Sequence, residues 1–218
     1  MLKSLYPQVN WDQVKVVGFD LDGTLYDEFD FILQVYQPIA AYLSKLVHES
    51  EKIIYQQMLS RWLEKGSTYN KIFYEVLMSE NYSFARKKIQ VKECINIYRN
   101  FTPTLVLDKR VEFLLDYFSA YYPLFVITDG SSALQRAKFY ALNLNNWVRN
   151  EDFAISGDYG SEFQKPSRYM ASKIDILREI TPSKVVYFGD RKRDEEFAGN
   201  MGFQFAHVKV MKMGESDE

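Results

Sequence analysis

Val14-Lys15-Val16-Val17-Gly18-Phe19-Asp20-Leu21-Asp22-Gly23-Thr24-Leu25 is the stretch that decides the fold. An apolar, β-branched run bounded by glycine reads as a buried strand. Strand interiors reject carboxylates, so two of them at a strand's end, followed by Gly and Thr, call for an explanation. A chemical one is available. The first carboxylate can attack an electrophile while the second, two residues on, moves the proton. Both can share a divalent cation that prefers oxygen ligands. The competing reading is a plain turn, because Asp-Gly is a strong turn signal.

Partners for the acid pair follow in a consistent order. Pro123-Leu124-Phe125-Val126-Ile127 is a second apolar run and ends in Thr128-Asp129-Gly130-Ser131-Ser132. Gln164-Lys165-Pro166-Ser167 reads as a loop, and Lys184-Val185-Val186-Tyr187-Phe188 ends in Gly189-Asp190-Arg191-Lys192-Arg193-Asp194-Glu195. A hydroxyl, a lysine and a second acid pair thus fall at the carboxyl ends of strands or in loops, the edge where open α/β sheets bind ligands.

This set resembles the haloacid dehalogenase (HAD) superfamily, whose members are mostly magnesium-dependent phosphohydrolases. Asp20 and Asp22 match its first motif, Thr128 the second, Lys165 the third, and Asp190 with Asp194 the fourth. The resemblance implies that Asp20 is both nucleophile and Mg²⁺ ligand and forms an aspartyl-phosphate. It implies that Asp22 protonates the leaving oxygen, deprotonates the attacking water and adds its backbone carbonyl to the metal. Asp190 becomes the third protein ligand, and Asp194 holds a metal-bound water or orients Lys165. Thr128 and the amides near Gly130 bind the transferred phosphoryl group, with Lys165 supplying positive charge.

Between the first two motifs the pattern turns helical. Ile32, Val35, Tyr36, Ile39, Leu43, Leu46 and Val47 recur at threes and fours, with Pro38 inside the run and expected to kink or split the helix. Ile54-Met58-Trp62 and Ile72-Phe73-Val76-Leu77 predict shorter helices on either side of Gly66-Ser67-Thr68, and Val91, Cys94, Ile95 and Tyr98 a fourth. The expected organisation is a Rossmann-like α/β core of residues 1–25 and 105–218, with residues 26–104 inserted as an all-helical cap. From Leu105 onward, helix and strand alternate, as a parallel sheet requires. Helices are expected at Val111–Phe118, Ala133–Leu142, Ser167–Glu179 and Glu195–Met201, and strands at Phe153–Ser156 and Phe203–Val208. The tail Met213–Glu218 is expected to fray.

Some features depart from common family forms. Arg191-Lys192-Arg193 reads as a solvated basic loop, against a sharper reading as an anion contact. Asp129 stands where asparagine is frequent, and an extra acid beside a phosphate site is unfavourable unless paired or turned away. Asp22 favours phosphoryl transfer over dehalogenation, which needs no acid there. A sugar-phosphate mutase shares every motif, and a catalytically idle fold used as a binding module is the rival from another class.

Composition narrows the classes. Of 218 residues, 47% are hydrophobic and 26% charged, ordinary for a chain that buries a core. A net charge of -2 implies no general attraction to nucleic acid or acidic membranes. No run reaches the ~18 apolar residues of a bilayer span, and Met1–Asp12 has no apolar leader core. The single cysteine, Cys94, excludes an internal disulfide and reads as packing. His48 and His207 are too isolated to bind metal. A cytoplasmic enzyme acting on a small phosphorylated metabolite is the expectation.

Overall fold

The computed structural model describes residues 2–208; the tail expected to fray lies outside the described residues. The chain forms α1 (Leu2–Leu5), β1 (Val16–Phe19), α2 (Glu28–Val47), α3 (Glu51–Lys65), α4 (Ile72–Val76), α5 (Phe84–Arg99), α6 (Lys109–Ser119), β2 (Leu124–Thr128), α7 (Ser132–Ala141), β3 (Phe153–Ile155), β4 (Val185–Gly189), α8 (Lys192–Met201) and β5 (Gln204–His207). All five strands are parallel, in the order β3-β2-β1-β4-β5. β1 is central, so both its edges are hydrogen-bonded and its four residues are all buried. That explains a run of apolar residues in place of an alternating pattern.

Register sorts the aromatic residues onto two faces. Phe19 lies opposite Phe188, and their rings stack with centroids 5.4 Å apart. Phe118 of α6 closes on both, at 5.9 Å and 5.5 Å, and Trp11 stacks on Phe118 at 5.9 Å. The other face holds Phe125, Ile127 and Tyr187 beneath Met170, Ile174, Phe197 and Phe203.

Two compact units partition the chain: residues 1–28 with 105–218, and residues 29–104. The second begins three residues later than the sequence suggests, because Tyr26 is bridged back to Asp22 in the first. Within residues 29–104, α2 buries Phe31, Ile32, Val35, Tyr36, Ile39, Ala40 and Leu43 on one stripe. It continues unbroken through Pro38. Proline removes the donor that would reach the Gln34 carbonyl and crowds that turn; the adjacent Leu33 carbonyl accepts from the Tyr55 hydroxyl at 2.8 Å. Ser50 and Ser83 cap α3 and α5 through the amides of Ile53 and Arg86. Arg61 joins α3 to α4 by a two-pronged contact with Glu75 at 2.7 and 2.9 Å. A cavity of about 280 Å³ opens in this unit, walled by Tyr36, Trp62, Phe73 and Tyr98 with Asn70 and Arg99.

One expected helix is absent. Residues 167–179 form short 3₁₀ turns, Arg168–Lys173 and Asp175–Leu177, separated by extended Ile174. The Ile176 amide, which a continuous α-helix needs internally, donates instead to Asp152 at 3.2 Å. A side-chain acceptor has competed successfully with the helix. Cys94 is fully buried, and His48 and His207 are both exposed. Among the described residues no helix is long and apolar enough to cross a membrane.

Phe118 is fully buried whereas Phe113, on the same helix, is 57% exposed. Phe118→Ala is therefore expected to cost ~3–5 kcal/mol and Phe113→Ala less than about 0.5, measured by urea unfolding.

Candidate active site

The carboxyl edge of the sheet collects the motif residues. Asp20 follows β1 directly, and its amide still donates to the Phe188 carbonyl at 2.9 Å. The chain then turns sharply. Gly23 has φ +80°, and a Cβ there would stand 2.4 Å from Asp190 Oδ2, so only glycine permits the second acid pair to approach the first.

Lys165 is the centre of one polar set. Its buried Nζ donates to Asp20 Oδ1 and Asp194 Oδ1, each at 2.5 Å, and reaches the Tyr187 hydroxyl at 3.3 Å. Tyr187 in turn donates to the Ile127 carbonyl at 2.9 Å. Burial pulls the Lys165 ammonium down, but Asp20, Tyr187, Asp194 and Asp129 outweigh it, and Lys165 stays firmly protonated. Burial pushes the Asp20 carboxyl up to about 7, against the pull of Lys165. Asp20 Oδ2 accepts no hydrogen bond from the described residues. Asp194 is committed at both oxygens, to Lys165 and to the Arg191 amide at 3.1 Å.

Asp22 belongs to a second set. Lys138 Nζ donates to Oδ1 at 2.6 Å, the Tyr26 hydroxyl donates to the same oxygen, and Gln135 Nε2 donates to Oδ2 at 2.7 Å. Gln135 and Lys138 lie one turn apart on α7, and both are buried. Burial pushes Asp22 up, yet Lys138, by charge and hydrogen bond, with Tyr26 and Gln135, holds it below the usual carboxylate range. Gln135 also donates to Thr128 Oγ1 at 2.6 Å, linking the first motif to the second.

Asp190 completes the acidic cluster. Carboxylate oxygens of Asp20, Asp190 and Asp194 lie within 4.8 Å of one another. Asp190 Oδ1 is buried without a hydrogen-bond partner, and burial, against the pull of Arg191, raises its carboxyl. An orphaned oxygen in an all-carboxylate cluster, with no thiol or imidazole present, suits a hard divalent cation. The Asp22 side chain is turned away from this cluster, so any contribution of that residue to a cation falls to its backbone carbonyl.

The loop after β2 has its own contacts. The Gly130 amide donates to Ser156 Oγ at 3.3 Å, whereas the neighbouring Ser131 hydroxyl is buried without a partner. Asp129 is paired: it accepts from the Lys165 amide at 3.2 Å and stands 3.6 Å from Arg193. The basic triplet is not uniformly solvated. Lys192 is exposed, but Arg191 is half-buried against Glu28 at 2.6 Å.

The profile of the haloacid dehalogenase-like hydrolases matches residues 17–208. The chain belongs to this family. Solved structures agree in fold. A HAD-superfamily hydrolase of subfamily IA from Geobacter sulfurreducens PCA aligns with TM-score 0.66 and 19% identity over 92% of this chain and 89% of that one. The magnesium-bound YfnB of Bacillus subtilis aligns with TM-score 0.62 and 18% identity over 92% and 90%. A HAD phosphatase from Thermococcus onnurineus aligns with TM-score 0.59 and 17% identity over 93% and 90%. No protein of curated function matches the sequence. At these identities the likeness establishes the fold alone.

Tyr26, Gln135, Lys138 and Tyr187 escape motif reading. The signal for the α7 pair was a glutamine and a lysine on the buried face, each next to an apolar residue, Leu134 and Phe139. Lys138→Met removes the cation from a buried carboxylate and is expected to cost ~3–5 kcal/mol. Adding Asp22→Asn should recover part of that loss, read from the denaturation midpoints of the single and double variants.

Proposed function

We propose that this hydrolase is a Mg²⁺-dependent phosphohydrolase acting on a small phosphorylated metabolite. The observation that carries this reading is the separate housing of its paired carboxylates. Asp20 keeps one oxygen open and faces Lys165, whereas both oxygens of Asp22 are held by Lys138, Tyr26 and Gln135. That division suits one nucleophile and one proton carrier.

Asp20, Asp190 and the Asp22 carbonyl would hold the ion. When bound, it screens the repulsion between an anionic nucleophile and an anionic ester. Asp20 Oδ2 attacks phosphorus and the ester oxygen leaves, giving an aspartyl-phosphate. Lys165 and Thr128 offset the charge on the phosphoryl oxygens. Asp194 keeps the Lys165 ammonium on Asp20. Asp22, having taken up a proton from solvent as the substrate approaches, gives it to the departing oxygen, then takes a proton from the water that hydrolyses the acyl-phosphate and returns it to solvent. Lys138 keeps Asp22 ionised at rest. The approaching phosphate, an anion, raises its proton affinity when the leaving group needs the proton. Selection among leaving groups falls to the helical insertion as a cap, with the aromatic cavity of residues 29–104 as its feature of interest.

Asp20→Asn is expected to abolish turnover of every ester. Asp22→Asn should slow alkyl phosphates by ~10²–10⁴ yet let p-nitrophenyl phosphate phosphorylate Asp20, because that leaving group needs little protonation. A burst of one phenolate per site and a phosphorylated intact mass are the expected readouts; equal slowing of both ester types with no phosphoenzyme removes Asp22 from proton transfer.

Excess EDTA should stop turnover and Mg²⁺ restore it. Because burial raises both Asp20 and Asp190, protons compete with the cation. The Mg²⁺-induced rise in Tm should accordingly be larger near pH ~8, above the Asp20 value of about 7, than near pH ~6. A pH-independent rise contradicts binding at these carboxylates.

A further inference from the structure

The Gln135 side chain touches both motif loops, and its amide orientation is fixed by chemistry. Nε2 lies 2.7 Å from Asp22 Oδ2, 2.6 Å from Thr128 Oγ1 and 3.1 Å from the Asp129 carbonyl. A carboxylate and a carbonyl only accept, so the atom between them must be the nitrogen and not the amide oxygen. An amide nitrogen carries two protons, and the two short contacts take them.

Thr128 is thereby constrained. Its hydroxyl has one proton and accepts at the Gln135 side. That proton must point elsewhere, and no other hydrogen bond of the Thr128 side chain exists among the described residues. The geometry of the loop is consistent with a built contact. Gly130 has φ +147°, and a Cβ there would stand 3.0 Å from the Gln135 side chain.

Resting on the phosphohydrolase reading, we infer that Gln135 is a positioning residue that commits the Thr128 hydroxyl to donating into the phosphoryl group. It does so by occupying the acceptor side of that hydroxyl. The same carboxamide holds Asp22 Oδ2, so the phosphoryl donor and the proton carrier are set by one side chain. Without Gln135, the Thr128 proton is free to turn to Asp22 Oδ2 or to the Asp129 carbonyl, and the phosphate loses a donor.

The test is a double-mutant cycle read by calorimetric titration of the Mg²⁺-loaded protein with inorganic phosphate. Gln135→Met and Thr128→Val are each expected to weaken phosphate binding roughly 10-fold, the scale of one hydrogen bond to a charged group. The combined variant should bind within about twofold of Thr128→Val alone, because Gln135 acts through a hydroxyl no longer present. A packing role moves both backgrounds equally. Gln135→Asn, one methylene short but still polar, supplies the same cycle if methionine impairs folding, which thermal melts monitor. Equal weakening in the Thr128 and Thr128→Val backgrounds overturns the inference, as does unchanged phosphate affinity in the Thr128 background. No phosphate binding by the unsubstituted protein overturns the phosphohydrolase reading itself, and the inference with it.

Discussion

The Lys165 ammonium, clasped between Asp20 and Asp194, is the contact on which the site depends. Each of these charges is buried and could not remain so alone. Lys165 comes from the loop after β3, Asp20 from the end of β1 and Asp194 from the first turn of α8. One cation therefore draws three separate segments to the same edge of the sheet. Tyr187 supports it from within β4, where a tyrosine in an otherwise apolar strand spends its hydroxyl on Ile127 and Lys165. Removing the lysine leaves two buried carboxylates facing one another.

The second cation, Lys138, performs a parallel task for Asp22. The two sets are joined by sequence, since Asp20 and Asp22 are separated only by fully buried Leu21. Each carboxylate thus has its own counter-charge, and the two oppose each other in proton affinity, one pushed up and one held down. For the proposed roles both directions must reverse on binding: a cation has to pull Asp20 down, and the approaching phosphate has to push Asp22 up.

The sequence was legible where local pattern and function coincide. Asp20, Thr128 and Asp190 stand at or just beyond strand ends because apolar runs announce the strands and the polar residues interrupt them. Asp194 was legible through the motif, and its place in the first turn of α8 also suits the start of a helix. Gln135, Lys138 and Tyr187 were not, because a polar residue on a buried face declares a partner but not its identity. The partner of Lys138 is 116 residues away. The segment after Lys165 was misread for a related reason: nothing local shows that Asp152 takes the amide of Ile176. Pro38 misled in the opposite direction, since tertiary burial on both sides of it preserves a helix that propensity alone disfavours.

The position of β1 has a consequence for how the molecule is made. It is the central strand, paired with β2 through Val17 and Leu124 and with β4 through Val17 and Val186. Synthesis from the amino end delivers β1 first and both of its neighbours long afterwards, with the whole helical insertion between. On the ribosome, this apolar strand and its acid pair wait without edges to join or cations to face. Helices of the insertion need only near neighbours in sequence and can form meanwhile. Assembly of the sheet, and with it the site, is therefore a late and concerted event that requires nearly the entire chain.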